Sequence, residues 1–421
     1  LNSANSMALA SPNLVENTIV THIQKEHQRS MALLKETVDI NSGTMNFTGV
    51  RQVGAVFERE FKELGFSTQW LDGKSFNRAG HLVAQYGTRG PKILLIGHLD
   101  TVFAEDSPFQ NMQLISADKA SGPGITDMKG GDVIIVQALR ALRASGQLDN
   151  LSIRVVLTGD EENSGDPTSL SKQALLEAGQ WADIAIGFED GDGNPKTAAI
   201  SRRGASGWQL EVKGKPAHSS QIFQPDVGVG AIFEAARILD GFRVALATQA
   251  NLSFNPGVIV GGTDITLDEE TSRGTAFGKG NVIAQTLRVS GDLRAISPEQ
   301  LNLARQTMQK IVEAHLPGAS ASIKFDDGYP PMAPTEGNKK LLAIYNDVSE
   351  DYGFGPVIAI NPRNAGAADI SFVASEVEMA LDGIGLMGSG GHTVDEVADI
   401  GTLDSQTIRA AITLYRLSLP H

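Results

Sequence analysis

The chain has 421 residues, 41% of them hydrophobic and 20% charged, which is enough for two or three domains with sizeable cores and unlike a disordered or fibrous chain. Its formal charge of −14 argues against nucleic-acid and anionic-membrane partners, and no apolar run approaches the roughly 18 residues that cross a bilayer. Without cysteine there is no disulfide, no thiolate nucleophile and no thiolate-held zinc, so any metal must be held by His, Asp and Glu.

The chain opens at Leu1, which reads as a processed or trimmed end, and Leu1–Ser6 reads as disordered. Ala8-Leu9-Ala10 has the look of a small-residue cleavage site with no hydrophobic stretch before it, which favours a periplasmic or secreted location over a cytoplasmic one. The spacing of Leu14, Ile19, Ile23, Met31, Leu33 and Leu34 predicts a helix over 13–36. A second helix is expected over Thr48–Leu64, closed by Gly65 as its C-cap. Strands follow at Ser67–Leu71 and His81–Tyr86. The apolar run from Lys92 then ends on Gly97-His98-Leu99-Asp100. Glycines around Asp127 precede a helix over Asp132–Ala144.

The strand Ile153–Thr158 hands over to Gly159-Asp160-Glu161-Glu162. Three adjacent carboxylates repel one another, and desolvating them is costly unless a cation or donors compensate. After a helix near Leu170–Glu177, the strand from Ile184 finishes on Glu189 and Asp190. Strands alternating with helices predict a doubly wound α/β sheet, mixed but largely parallel.

The rhythm then changes. Strands are expected at Trp208–Lys213, Val258–Val260, Val282–Leu293 and Ser320–Phe325, with helices at Val227–Gly241 and Pro298–Leu316. The order β-α-β-β-α-β is ferredoxin-like, and Gly261–Gly280 reads as a flexible insertion within it. After Pro330–Pro334 the first rhythm resumes with helix Gly337–Tyr352, strand Val357–Ile360, the glycine-rich loop Gly383–Gly391, His392 and a helix over Leu403–Leu417. One α/β domain, 1–203 with 329–421, is therefore expected to be interrupted by a smaller one, 204–328.

His98, Asp127, Glu161, Glu162, Glu189 and His392 all sit at expected strand ends or in adjacent loops. A parallel sheet gathers such positions at one rim. Two imidazoles and several carboxylates suit zinc or a similar divalent ion, and one bridging acid can hold a pair about 3.5–4 Å apart. Asp190 and Asp192 compete with Glu189 for a ligand role. No G-x-G-x-x-G turn follows the first strand, which counts against a dinucleotide-dependent enzyme.

Gly97-His98-Leu99-Asp100-Thr101-Val102, Gly124-Ile125-Thr126-Asp127-Met128-Lys129-Gly130-Gly131 and Gly159-Asp160-Glu161-Glu162 together resemble the M20 family of dinuclear zinc peptidases and amidohydrolases, in its glutamate carboxypeptidase branch. The resemblance implies two zinc ions, or other divalent ions such as cobalt or manganese, bridged by Asp127. His98 and Glu189 would complete one site, and Glu162 and His392 the other. It also implies Glu161 as general base, Asp100 as the group orienting His98, and a cis peptide at Asp127–Met128.

In the inserted segment, Gly214-Lys215-Pro216-Ala217-His218-Ser219 resembles the family's lid motif, whose histidine reaches across a homodimer to stabilise the oxyanion. Asn281 and Arg294 match positions that hold the substrate carboxylate. The implied activity is hydrolysis of an amide next to a free C-terminal carboxylate, on a small peptide or an N-acyl amino acid. A carboxypeptidase leads, with an N-acyl-amino-acid deacylase or a dipeptidase open. A non-catalytic binding protein on the same scaffold should have lost Glu161 or a ligand, and none is lost. The segments Gly187–Gly193 and Gly388–Thr393 depart from the family pattern, so side-chain selectivity does not carry over. Lys196, Arg202 and Arg203 are the cations downstream of Glu189 that an acidic side chain would meet.

Overall fold

The computed structural model describes residues 13–268 and 271–420; Leu1–Ser6 and Ala8-Leu9-Ala10 lie outside the described residues. Four short runs, Lys92–His98, Ser152–Thr158, Ile184–Gly187 and Met379–Leu381, form the parallel part of a six-stranded sheet. Their side chains are buried on both faces, so the sequence runs apolar without alternation. Ser67–Asp72 and Gly80–Tyr86 extend one edge antiparallel, giving the spatial order 67–72, 80–86, 152–158, 92–98, 184–187, 379–381.

The helix Gly130–Ala144 is buried from Gly130 through Leu142 and packs against Leu14–Lys25 and Thr402–Leu417. A helix buried on every side belongs in the centre of its layer, even with Asp132, Gln137 and Arg140 among its buried residues. The single helix expected over 13–36 is in fact two, Leu14–Lys25 and His27–Val38, broken at Glu26. The break lets Ile19 and Ile23 as well as Leu33 and Leu34 enter one core. Asn46 caps Phe47–Glu63 by accepting from the Gly49 amide at 3.1 Å, and Gly65 beyond its end takes φ 84°.

Two small sheets matter for the site. Gln113–Leu114, Lys119–Ser121, Val397–Asp399 and Gly388–Ser389 pair antiparallel, tying the chain on both sides of His392 to the segment that leads into Asp127. The strand expected at Val357–Ile360 shrinks to Ile358–Ala359 and pairs with Thr197–Ala198 outside the main sheet.

By internal contacts the chain divides into two compact units, Arg202–Ala333 and the remainder. In Arg202–Ala333 the strands Ser253–Gly262, Thr286–Arg294, Ala205–Gly214 and Ala319–Tyr329 lie in that order, all antiparallel, with helices Gly230–Leu246 and Pro298–Glu313. This is the ferredoxin-like arrangement. Trp208, Leu210, Ile238, Phe242, Val289, Met308 and Val312 give the unit its own core. A Cβ at Gly291 would lie 2.3 Å from the Trp208 ring, so only glycine fits there. The stretch Gly261–Gly280, expected to be flexible, contains a hairpin, Asp264–Asp268 with Arg273–Phe277. Its β-branched residues pair across it, with Thr266 and Thr275 hydroxyls 2.6 Å apart.

Candidate metal centre

His98 ends its strand 1% exposed. Its Nδ1 lies 2.9 Å from the main-chain carbonyl of Asp100, and a carbonyl only accepts, so Nδ1 carries a proton and Nε2 is the nitrogen left facing inward. Nε2 is 3.0 Å from Asp127 Oδ1 and 3.3 Å from Glu189 Oε1. On the other side, His392 Nε2 is 2.9 Å from Asp127 Oδ2 and 3.2 Å from Glu162 Oε2. The two oxygens of Asp127 therefore face two different histidines, each accompanied by a second acid.

Among the described residues, the sets His98–Asp127–Glu189 and Asp127–Glu162–His392 each bring their ligand atoms within 4.8 Å of one another. A third set, His98–Glu161–Glu162, overlaps both. Asp190 and Asp192 enter none; Asp192 is engaged by its own turn, accepting from the Asn194 amide at 3.2 Å. Glu162 Oε1 is buried with no hydrogen-bond partner among the described residues. An orphaned buried carboxylate oxygen is what a cation would satisfy, so this donor set fits a pair of divalent ions.

The sequence pattern of peptidase family M20/M25/M40 matches residues 94–417. The chain belongs to this family. Carboxypeptidase G2 of Pseudomonas sp. (strain RS-16) is 26% identical over 407 residues, covering 94% of this chain and 91% of that one. Succinyl-diaminopimelate desuccinylase of Alkalilimnicola ehrlichii is 24% identical over 386 residues, covering 88% and 96%. Among solved structures, the YXEP protein of Bacillus subtilis, described as a dinuclear metal binding peptidase from the M20 family, superposes with a TM-score of 0.63 at 15% identity, covering 93% and 98%. The M20 chain is thus a metal-dependent hydrolase, a metallopeptidase or amidohydrolase, on the α/β fold that its motifs imply.

Three adjacent carboxylates in this M20 enzyme take different directions. Asp160 turns away, accepting from the Gly165 amide at 2.8 Å and from Lys172 Nζ at 3.2 Å. Glu161 and Glu162 turn to the centre because Asp100 accepts their consecutive amides, at 3.1 Å on each of its oxygens. Thr44 Oγ1 donates to the same Asp100 carboxylate at 2.6 Å. Asp100 meets His98 more closely through its main-chain oxygen than through its side chain, which stays 3.4 Å away.

The turn carrying Asp127 has the cis peptide Asp127–Met128 implied by the family motif. Buried Glu396 fixes this turn: its carboxylate accepts from the amides of Gly124, Thr126 and Asp127 at 2.9, 2.9 and 3.2 Å, and from Thr126 Oγ1 at 3.1 Å. Sequence reasoning missed Glu396. The one available signal was its place four residues after His392. Asp382, also missed, accepts from the Glu189 amide at 3.2 Å and sets that acid's direction.

The electrostatics show a demand for positive charge. Burial, then repulsion from Asp127 and Asp382, pushes Glu189 up to about 7 against the pull of His98. Burial and the neighbouring Glu189, Asp369 and Glu162 push Glu161 well above the ordinary glutamate range, again against His98. Hydrogen bonds to Asp127 and Glu162 raise His392 to about 11. Burial alone would lower His98, but Glu189, Asp100 and Asp127 together raise it well above 6.5. Protons compensate the acids here, and divalent cations would take their place.

The remaining expected site residues belong to the Arg202–Ala333 unit. His218 is exposed, and its Nδ1 accepts the Ser220 amide at 3.2 Å, which leaves the proton on Nε2 as a free donor. Asn281 is next to it, its main-chain oxygen accepting from the Ser219 amide at 2.9 Å. Arg294 lies at the far end of the nine-residue strand that follows Asn281 and donates to Asp292 at 2.9 Å. That strand spans about 26 Å, so within one chain the unit does not bring Arg294 to Asn281. Of the cations downstream of Glu189, Arg203 is bound to Ser253 and Lys196 is exposed.

Proposed function

We propose that this M20 enzyme hydrolyses an amide bond next to a free C-terminal carboxylate, as a carboxypeptidase acting on small peptides or N-acyl amino acids. The observation that carries the reading is the pair of ligand sets sharing Asp127, with Glu161 beside them and outside the bridging contacts. His98, Asp127 and Glu189 would hold one divalent ion, and Asp127, Glu162 and His392 the other, zinc being the first choice and cobalt or manganese the alternatives. Bound there, two such ions lower the pKa of water towards neutrality and polarise the scissile carbonyl.

Glu161 accepts the proton from water and returns it to the leaving amine, a role suited to a carboxyl whose affinity for protons is raised by burial. Asp100 holds Glu161 and Glu162 in their two directions through consecutive amides. His218 offers Nε2–H to the oxyanion, and the Arg294 guanidinium and Asn281 amide take the substrate carboxylate. Because Asn281 precedes the strand whose far end is Arg294, joint contact with a single carboxylate calls for two chains. This supports a homodimer in which 204–328 acts as lid and contact surface.

A second reading, removal of an N-acyl group from an amino acid, is favoured by the likeness to a desuccinylase across 88% of the chain. The discriminating experiment is a hydrolysis panel on metal-replete enzyme, with peptidyl and N-acyl substrates ending in Glu, Asp, Ala, Leu and Arg. Turnover of peptidyl substrates supports the carboxypeptidase; turnover confined to N-acyl substrates moves the assignment to a deacylase. No turnover of either class with two ions bound per chain refutes both.

A further inference from the structure

A cleft of about 460 Å³ opens beside the candidate centre, walled by Thr44, Met45, Thr101, Val102, Glu105 and Asn163, with Glu162 shared between cleft and centre. We infer that this cleft receives the acyl side of the scissile amide, and that it selects an apolar acyl group carrying no carboxylate of its own. The inference rests on the hydrolase reading above, in which Asn281 and Arg294 take the C-terminal carboxylate and the acyl side of the substrate needs a site of its own.

Placement is the first argument. Glu162 faces His392 Nε2 at 3.2 Å on one side and lines the cleft on the other, so a group filling the cleft is directly joined to a carbonyl at the centre. Preformed walls are the second. The Thr44 amide donates to Thr101 O at 3.1 Å, and the Thr101 amide to Ser42 O at 2.8 Å. Asn41 Nδ2 donates to Phe103 O at 3.1 Å, and Thr44 Oγ1 is tied to Asp100. On the opposite wall, Arg78 donates to the main-chain and side-chain oxygens of Asn163 at 2.7 and 2.9 Å. Backbone pinned in this way keeps its shape without a ligand, and the volume lies within the range of small-molecule sites.

The third argument is chemistry. Met45 and Val102 stand 56% and 41% exposed at the cleft, apolar side chains presented where a substrate passes. Among the described residues, Glu105 and Glu162 are the charged ones that line the cleft, and no Lys, Arg or His is among the lining. Glu162 would be neutralised by a bound cation, which leaves Glu105 to set the sign. A carboxylate on the acyl group would lose water against Met45 and Val102 and meet the like charge of Glu105, while the nearby Arg78 guanidinium is already engaged by Asn163.

The test compares N-butanoyl and N-succinyl derivatives of one amino acid, nearly equal in size and differing in the terminal carboxylate, on the metal-replete full-length enzyme. The butanoyl compound should have a kcat/KM about tenfold or more above the succinyl one, mostly through KM. Glu105→Lys should shrink that ratio to within about threefold, and Val102→Trp should raise KM for an N-phenylacetyl substrate about tenfold with the bound metal unchanged. A succinyl preference in the unaltered enzyme, or a ratio indifferent to Glu105→Lys, overturns the assignment. Calorimetric binding of the N-phenylacetyl amino acid to metal-loaded Glu161→Gln, with and without Val102→Trp, separates the two levels. Binding that weakens in Val102→Trp without any turnover in the parent keeps the cleft and removes the hydrolase reading. Turnover with no discrimination removes the cleft alone, and neither binding nor turnover removes both.

Discussion

Replacing Glu161 by Gln keeps the size of the side chain and leaves the main-chain amide on Asp100, because that contact is made by the backbone. What disappears is the ability to take a proton. Loss of general-base action alone costs about 10²–10⁴-fold in kcat, or roughly 3–5 kcal/mol of transition-state stabilisation. The ions should stay, since neither set built on Asp127 includes Glu161. Stability of the metal-free protein should move the other way. Burial and the carboxylates of Glu189, Asp369 and Glu162 raise Glu161 well above 4.5 despite His98, so its ionised form opposes folding at neutral pH. The sign follows from linkage: a carboxyl raised in the folded state burdens stability above its folded pKa, and the burden fades as pH falls towards the unfolded value near 4.5. Metal-free Glu161→Gln should therefore melt above the unaltered protein at pH 8, with the gap closing towards pH 4.5. Elemental analysis, steady-state kinetics and melting across that pH range test all three parts. Activity within tenfold of the parent, or loss of an ion with the substitution, refutes the role given to Glu161.

Metal loading should release protons at pH 7.5, because His392 raised to about 11 must give up its proton to become a ligand, and Glu189 at about 7 part of one. Affinity should accordingly tighten as pH rises; calorimetry in two buffers of different ionisation enthalpy reads the release, and identical heats in both would contradict it. Glu396→Gln removes the charge that gathers three amides and a hydroxyl around the Asp127 turn, and should weaken metal binding by roughly tenfold or more in a chelator competition. A lower melting temperature with unchanged affinity would make Glu396 a purely structural residue. Gly291→Ala drives a methyl group into the Trp208 ring and should cost about 1–3 kcal/mol in urea unfolding of the full chain; an unchanged midpoint would mean the sheet relaxes freely there.

The strand ends that bring the candidate site residues together were legible because each follows a run buried on both faces, and such runs stand out in sequence when they give way to His98, Glu161 or Glu189. Two supports of the site were not. Glu396 and Asp382 act by accepting main-chain amides, and a loop acid that does so has the same sequence signature as one facing solvent. Met379–Leu381 closes the main sheet with three residues, too few to show any period. The hairpin at 264–277 was hidden by glycines and polar residues around its threonines, where pairing across strands rather than burial holds the chain. Nor does sequence reveal that Asp160, first of three acids, points to Lys172, since the cation arrives from the turn between two helices, twelve residues on.

The carboxylate of Asp100 grips two neighbouring amides at once, those of Glu161 and Glu162, the one proposed to carry the proton and the other to hold a cation. Proton transfer and ion grip thereby share a single hinge pin, and neither can be retuned by shifting the backbone without disturbing the other. Exchanges at Asp100 and Glu161 should then fail to add, the double variant being scarcely worse than the poorer single one. Redesign of this hydrolase has more freedom at the cleft walls than at that pin.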